Sequence, residues 1–491
     1  MNYSISYDKS DPLSIETYAK QLEGKTFIEV ISQNACNSKN YEDLMAAYGN
    51  KARKGGLGNL LEEVYFGYRA NSNPEADFAE AGVELKVTPY EKKKNGKISA
   101  GERLVLGMIS YDQPVEMELF HSHMWKKSHL ILLVYYLRNK QLENNLMYSI
   151  DHVKLFTPPE EDLEIIANDY RIIAEKIAAG KAHELSESDT MYLGACTKGA
   201  TAEKSMASQY YNPEIKARKR AFCYKLSYMT YVLNKYIASD KLLYEPIIKD
   251  PELLKDSSFE EYIQNCIARY TGKTDEELCD LFGRKYNNNK AQWIDLAYRM
   301  LGIKSSKAEE FVKANIVVKS IRLEENDKMK ESMSFPAFLF KDLMREEFED
   351  SELYTYFNET KFFFVIWKKQ GDSYKLLGSQ LWNMPGTDLD VTVRKGWEDV
   401  KRIIAYGVRF TKKHTANGLV IENNLPGKRD NPIVHIRPHA KKSAYRLSDG
   451  TVIGNVEKDA NELPNGEYMT TQSFWINNSY ILEQLNCLKN S

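Results

Sequence analysis

This chain of 491 residues has few cysteines, no long apolar run and almost no net charge. Its six cysteines form no C-x-x-C pair and no cluster with histidine, which argues against structural zinc and a disulfide framework. The longest apolar run, 130–137, is far shorter than the roughly 20 residues that span a bilayer. The polar N-terminus carries no signal peptide, so we expect a cytoplasmic protein without a membrane partner.

A formal net charge of −2 argues against a strongly basic nucleic-acid-binding domain. Any nucleic-acid surface must therefore be a local basic patch. Apolar content of 43% and charged content of 28% are ordinary for a globular protein. The length leaves room for two or three domains, each with a core of its own.

One short stretch concentrates the side chains needed for metal-assisted hydrolysis of a phosphodiester. Asp77 follows a turn, and Glu84 and Lys86 stand in an alternating apolar segment, 83–87, that predicts a strand. Side chains two apart on a strand point to the same face, so Glu84 and Lys86 emerge together. Asp77 can then share a divalent ion with Glu84, with Lys86 beside the phosphate. Taken alone, this spacing also fits a surface ion pair.

The hydrophobic periodicity predicts how the chain is divided. It indicates a strand at 25–32, a helix at 52–66 and a long helix that begins at Glu160 and is closed by Gly180. Residues from about 245 carry helical periodicity and little strand signal, whereas strand-rich patterning returns after about 309. We therefore expect three parts: a catalytic domain at 1–240, a helical connector at 241–308 and a DNA-binding domain at 309–491.

The C-terminal part repeats the N-terminal part in outline. Four segments recur in the same order at similar spacings, which seldom arises by chance. Val317 stands in the position of Glu84, so we expect the second copy to be catalytically inactive. The aligned pairs are 315–321 with 82–88, 362–367 with 130–135, 434–440 with 193–199 and 473–480 with 221–228.

The surroundings of the acidic motif resemble the MutH family of GATC endonucleases. The segments that carry this resemblance are 54–62, 74–79 and 81–89. The two-copy length resembles, in particular, the restriction enzymes of the Sau-three-A type, as do four further segments, 101–106, 180–187, 196–200 and 471–478. The resemblance spans nearly the whole chain.

The resemblance implies an α/β (α+β, mixed-sheet) architecture of the restriction-endonuclease-like fold, with two tandem MutH-like domains joined by a small helical region. It implies a type II restriction enzyme that cuts both strands of DNA before the G of GATC, with Mg²⁺ as cofactor, and leaves 5′ overhangs. Two alternatives stay open. One is a nicking enzyme of mismatch repair directed by hemimethylated GATC, and the other is a non-cleaving DNA-binding protein on the same fold.

The site residues follow from the resemblance, position by position. Asp77 and Glu84 are the metal ligands, and Lys86 is the catalytic lysine. Lys127, which follows the motif 122–126, fits the family's additional active-site lysine.

The resemblance leaves the helix glutamate ambiguous between two neighbours. The residues upstream align it with Glu62, whereas the residues downstream align it with Glu63. A one-residue insertion must therefore lie within this helix. We favour Glu62 because the upstream match is longer.

The candidates for DNA contact lie at equivalent places in the two copies. We expect Thr197, Lys198 and Arg220 to act in the first copy and Arg437 and His439 in the second. Guanidinium, ammonium and hydroxyl groups are typical partners of phosphates and base edges.

The self-complementary GATC sequence requires a two-fold arrangement of protein around it. Either two chains meet on DNA, or the C-terminal copy of one chain acts as the second reader. The resemblance also implies that this copy binds a second GATC site or supports the first, so one chain can hold two sites at once. We expect a monomer in solution that assembles on double-stranded DNA. A cognate methyltransferase would act on the same site without forming a stable complex.

Overall fold

The computed structural model describes residues 7–49, 55–70, 74–93, 96–139, 141–198, 205–238, 244–255, 257–287, 289–304, 307–416 and 418–486. The chain forms two compact units: Met1–Phe259 with Lys307–Asn315, and Glu260–Ser306 with Ile316–Ser491. The helices expected between 245 and 308 are present, but most of them belong to the second unit. The functional division into three parts stays a prediction.

The first unit combines helices with three sheets. Its helices, in chain order, are α1 (Pro12–Ala19), α2 (Phe27–Asn34), α3 (Ser38–Tyr48), α4 (Gly56–Leu60), α5 (His123–Ser128), α6 (Glu160–Ala178) and α7 (Leu226–Val232). Its strands are β1 (Val83–Lys92), β2 (Ile98–Ala100), β3 (Leu104–Met108), β4 (Leu130–Leu137), β5 (Ile150–Phe156), β6 (Leu193–Thr197), β7 (Met206–Ala207), β8 (Ala217–Arg218) and β9 (Arg220–Tyr224).

The main sheet of the first unit has the order β2-β1-β4-β5. Its two central strands, β1 and β4, run parallel, with Val83 opposite Leu130. Val83 and Leu85 pack into a core with the N-terminal helices. The alternation of the strand then directs Glu84 and Lys86 to the opposite face. The predicted strand and the shared face of Glu84 and Lys86 are confirmed.

A second sheet, of order β3-β9-β6, lies in the same unit. Its β6 edge is held by the buried carboxylate of Asp169 on α6, which accepts three consecutive backbone N–H groups. The distances are 2.7 Å from Met191, 2.6 Å from Tyr192 and 2.9 Å from Leu193. The long predicted helix, α6, is confirmed. Through Asp169 it positions the strand that carries Thr197.

The second unit also contains a sheet with a parallel strand pair and an antiparallel three-stranded sheet. Its helices are α9 (Asp275–Leu281), α10 (Lys290–Met300), α12 (Phe340–Leu343), α13 (Glu352–Glu359), α14 (Arg394–Tyr406), α15 (Val456–Asp459) and α16 (Asn478–Gln484); α8 (Phe259–Ala268) begins at the unit boundary, and α11 (Glu309–Lys313) belongs to the first unit. Its strands are β10 (Ile316–Leu323), β11 (Met333–Phe338), β12 (Lys361–Gln370), β13 (Ser373–Trp382), β14 (Phe410–Thr415), β15 (Gly418–Asn423), β16 (Val434–Pro438), β17 (Tyr445–Arg446), β18 (Val452–Ile453), β19 (Ala460–Glu462), β20 (Tyr468–Thr470) and β21 (Gln472–Ile476).

The strand pairing of the two units confirms the internal repeat. Strands β10 and β12 run parallel as β1 and β4 do, and β21 lies between β11 and β16 as β9 lies between β3 and β6. The alignment needs one correction. Ile316 takes the place of Val83 and lies opposite Lys361, so Lys361 and not Phe362 corresponds to Leu130.

Residues 25–32 were predicted as a strand, and this prediction is wrong. The segment forms helix α2, which starts with a capping box. The hydroxyl of Thr26 accepts the backbone N–H of Glu29 at 3.3 Å, and the Glu29 carboxylate accepts the N–H of Thr26 at 2.7 Å. Phe27, Val30 and Ile31 are buried on one face of this helix. The cap and this spacing outweigh the strand preference of the β-branched residues.

A buried ion pair fastens the segment 307–315 to the first unit. The ammonium of Lys313 lies 2.6 Å from a carboxylate oxygen of Asp162 and 2.8 Å from one of Glu309. The Tyr231 ring lies beneath it, with its centre 4.6 Å from the ammonium. Lys313 and Asp162 are each 1% exposed, so the Asp162 carboxylate cannot turn to water if the ammonium is removed.

We expect Lys313→Met to destabilise the first unit by about 3–5 kcal/mol, since it leaves Asp162 buried without its cation. Urea titration of each purified protein measures the loss in free energy of unfolding. Lys330→Met is the matched control, because Lys330 pairs with Glu324 at the surface, and it should leave stability unchanged. Equal behaviour of the two variants would contradict the assignment.

Candidate active site

A tight loop carries Asp77 to the start of β1. Phe78 and Val83 pair across this loop, with N–H to O distances of 2.9 and 3.2 Å in the two directions. Gly82 has φ +64°, a conformation that glycine adopts without strain. The Asp77 carboxylate then accepts the backbone N–H of Leu85 at 2.9 Å, and the Asp77 N–H lies 3.3 Å from Glu84 Oε2.

Glu84 lies at the centre of the cluster and is 3% exposed. Its Oε1 accepts a hydrogen bond from Lys86 Nζ at 2.7 Å and lies 3.7 Å from Lys127 Nζ. Burial raises the pKa of the Glu84 carboxyl, and the Asp77 charge raises it further, whereas the two ammonium groups lower it. The structure thus brings together Asp77, Glu84, Lys86 and Lys127.

Lys127 reaches Glu84 because of a short helix that sequence periodicity did not indicate. Ser122 is the N-cap of helix α5, and its hydroxyl accepts the Trp125 N–H at 3.1 Å. Lys127 is partly buried against Glu84, whereas Lys126 next to it is exposed.

The two helix glutamates point to different surroundings. The helix predicted at 52–66 is α4 followed by a π-helix, Leu61–Tyr65, in which the Phe66 N–H donates to the Leu61 carbonyl at 2.8 Å. A π-turn accommodates one extra residue in a helix, and the predicted insertion stays a prediction. Residues 52–54 of the predicted helix lie outside the described ranges. Glu63 is exposed and accepts the hydroxyl of Tyr48.

Glu62, in contrast, lies in the electrostatic field of the cluster. Burial raises the pKa of its carboxyl to about 7, and the charges of Asp77 and Glu84 act in the same direction. Glu62 therefore feels the charges of the acidic cluster, whereas Glu63 is bonded to Tyr48.

Tyr68 is a neighbour of the site that we did not predict. Its hydroxyl is buried and makes no hydrogen bond within the described part of the chain. Its ring centre lies 5.3 Å from that of Phe78, next to Asp77. An aromatic residue directly after Gly67 is the signal that the sequence offers for this neighbour.

The donor set fits a small divalent cation. Across the described residues, no three histidine, cysteine, aspartate or glutamate side chains form a ready-made metal cluster. Mg²⁺ is usually held by one or two carboxylates and keeps several water molecules. Asp77 and Glu84 supply such a pair. Burial raises the pKa of Glu84 and Glu62, the Asp77 charge raises both further, and a bound cation would offset that charge.

The three DNA-contact candidates of the first unit lie together at one end of the β3-β9-β6 sheet. Thr197 is opposite Arg220, whose guanidinium donates to the Ala195 carbonyl at 2.7 Å. Lys198 lines a cleft of about 720 Å³ with Arg103 and the glycine-rich turn 55–58.

Arg437 and His439 occupy the matching end of the β11-β21-β16 sheet in the second unit. The Arg437 guanidinium lies 4.9 Å above the Trp475 ring centre, and Arg437 is exposed. His439 Nδ1 lies 3.1 Å from the hydroxyl of Ser473. These two residues are therefore close to each other but belong to a different unit from the first three.

No helix within the described ranges is both long enough and apolar enough to cross a bilayer. The five cysteines that the structure describes are unpaired: Cys36, Cys196, Cys223, Cys266 and Cys279.

The chain matches known proteins over both units. The family model "DNA mismatch repair enzyme MutH" matches residues 66–169. The type II restriction enzyme Sau3AI of Staphylococcus aureus is 36% identical over 459 residues, which are 89% of this chain and 93% of that enzyme. The mismatch repair proteins MutH of a Shewanella species and of Shigella boydii are each 28% identical over 38% of this chain, covering 81% and 75% of their own lengths. The resemblance and the fold class predicted from sequence are confirmed: the chain belongs to the MutH family and is a restriction endonuclease of that family.

Proposed function

We propose that this enzyme cuts both strands of double-stranded DNA at GATC, before the G, with Mg²⁺ as its cofactor. The observation that carries the proposal is the buried Glu84 carboxylate, which is shared by Lys86 and Lys127 and adjoins Asp77. Two hard oxygen ligands with an adjacent ammonium suit phosphodiester hydrolysis.

Each residue of the cluster has a role in this proposal. Asp77 and Glu84 would hold Mg²⁺, which supplies a Lewis acid for the phosphate and favours ionisation of water. Lys86, 2.7 Å from Glu84, stabilises the negative charge that builds up on the phosphate. Lys127 adds a second positive charge from α5. Glu62, rather than Glu63, is the helix glutamate that orients water at the site.

The second unit supports a restriction enzyme over a mismatch-repair nickase. The likeness to Sau3AI extends over 89% of this chain, whereas the likeness to the mismatch repair proteins covers 38%. We propose that the second unit binds DNA through Arg437 and His439, either as the second reader of one site or on a second GATC site. The chain is then a monomer in solution that assembles on DNA, and its methyltransferase acts separately.

A plasmid digest with Mg²⁺, followed by mapping of the ends, tests this function. We expect double-strand fragments with 5′ GATC ends. Nicked circles alone would identify the nickase, and intact plasmid with a mobility shift would identify a DNA-binding protein. Glu84→Ala should lower the cleavage rate on the order of 10²-fold or more, since it removes one of two metal ligands.

The paired variants Glu62→Gln and Glu63→Gln test the choice of helix glutamate. We expect Glu62→Gln to reduce cleavage at least tenfold, because its carboxylate lies in the field of Asp77 and Glu84. Glu63→Gln should cut at the wild-type rate, since Glu63 is exposed and bonded to Tyr48. The reverse order in single-turnover rates would assign the role to Glu63.

The electrostatics of Glu62 predict a pH dependence of stability without metal. Its pKa is about 7 in the folded chain against an ordinary value of 4.5, so the folded state holds the proton more tightly. The stabilisation is complete below the ordinary value and is lost as the pH rises to about 7.

We therefore expect Glu62→Gln to melt at a higher temperature than the wild type at pH 8 and at the same temperature near pH 4, in EDTA. Glu63→Gln should keep the wild-type slope of melting temperature against pH. Equal slopes of melting temperature against pH for the wild type and both variants would contradict the raised pKa of Glu62.

A further inference from the structure

Tyr68 is tied to both sides of the acidic cluster. Its backbone N–H donates to the carbonyl of Glu62 at 3.0 Å. Its ring packs edge-on against Phe78, the residue after Asp77, with centres 5.3 Å apart. The preceding Gly67 has φ +72°, which turns the chain back after the π-helix. Tyr68 thus contacts the backbone of one proposed site residue, Glu62, and the neighbour of another, Asp77.

The hydroxyl of Tyr68 is set apart from the other tyrosines of this aromatic cluster. The Tyr7 hydroxyl donates to the Phe66 carbonyl at 3.1 Å, the Tyr65 hydroxyl to the Tyr18 carbonyl at 2.7 Å, and the Tyr18 hydroxyl to the Tyr65 carbonyl at 3.3 Å. These three are structural donors. The Tyr68 hydroxyl is buried and has no such partner in the described ranges, an arrangement that is costly unless another state of the site supplies one.

The packing of the Tyr68 ring against Phe78, the residue after Asp77, indicates that the hydroxyl serves the Asp77 side of the cluster. Burial raises the pKa of the Tyr68 phenol well above its ordinary range, and the charges of Asp77, Glu62 and Glu84 add to this effect, with Asp77 the largest of the three. The phenol therefore keeps its proton and remains a donor in a field of carboxylate acceptors.

We propose that Tyr68 is a positioning residue of this site, whose phenol donates the hydrogen bond that orients the Asp77 carboxylate for a divalent cation. This inference rests on the proposed function, because it takes Asp77 as a metal ligand. The backbone N–H of Leu85 already holds one carboxylate oxygen of Asp77, and a second donor would fix the plane of the carboxylate while the other oxygen binds the metal. Loss of such a donor typically costs 10–100-fold in metal affinity or activity.

The test uses the full chain carrying Tyr68→Phe, with Tyr65→Phe as the matched control. Both changes delete one hydroxyl from the same aromatic cluster. Melting temperature is measured in EDTA and across a Mg²⁺ titration, and cleavage of plasmid DNA is measured across the same titration.

We expect Tyr68→Phe to melt in EDTA no lower than the wild type, because the deleted hydroxyl has no partner in the metal-free protein. Its Mg²⁺ midpoint, in both melting and cleavage, should rise about tenfold or more. Tyr65→Phe should melt lower in EDTA, since it loses its bond to Tyr18, and keep the wild-type Mg²⁺ midpoint.

An unchanged Mg²⁺ midpoint in Tyr68→Phe would overturn the inference, whether or not the melting temperature falls. A lower melting temperature in EDTA would also count against it, because it would reveal a structural partner for the phenol. Failure of the wild type to cut DNA with Mg²⁺ would instead refute the proposed function itself. The two failures are therefore distinguishable.

Discussion

The buried carboxylate of Glu84 is the group on which the site depends. A carboxylate that is 3% exposed must be compensated by donors, because burying an unpaired charge is far too costly. Its compensation comes from Lys86 on the same strand, from Lys127 on α5 and from the backbone of Asp77. One buried charge thus holds a strand, a helix and a loop in register. The groups that stabilise it are those that would meet a phosphate.

The surroundings of the cluster disfavour the charged form of its carboxylates. Burial raises the pKa of both Glu62 and Glu84, and the charge of Asp77 adds to this effect. The π-turn at Leu61–Tyr65 carries both helix glutamates. Glu62 lies in the field of the cluster, whereas Glu63 accepts the hydroxyl of Tyr48. Removing one residue from a regular α-helix would rotate every following side chain by about 100° around the helix axis.

The second unit shows what the same fold becomes without the buried charge. Val317 stands where Glu84 stands in the first unit and packs against the hydrophobic core. Asn315, with φ 52°, occupies the place of Gly82, so the backbone turn before the strand persists. The parallel pairing of β10 with β12 therefore rests on backbone bonds and packing, and it does not require the acidic side chains.

Sequence alone determined those features that depend on local geometry. The shared face of Glu84 and Lys86 follows from the period of a strand, and α6 follows from its apolar period and the closing Gly180. The family and its acidic motif were also readable, because they are contiguous patterns. Only the tertiary structure decided what depends on distant contacts. Burial and a cap made 27–34 a helix. The surroundings of the π-turn distinguished Glu62 from Glu63. Packing against Phe78 placed the buried hydroxyl of Tyr68 beside the cluster. Such choices are set by the free energy of burying each side chain against partners far along the chain, which no local pattern records.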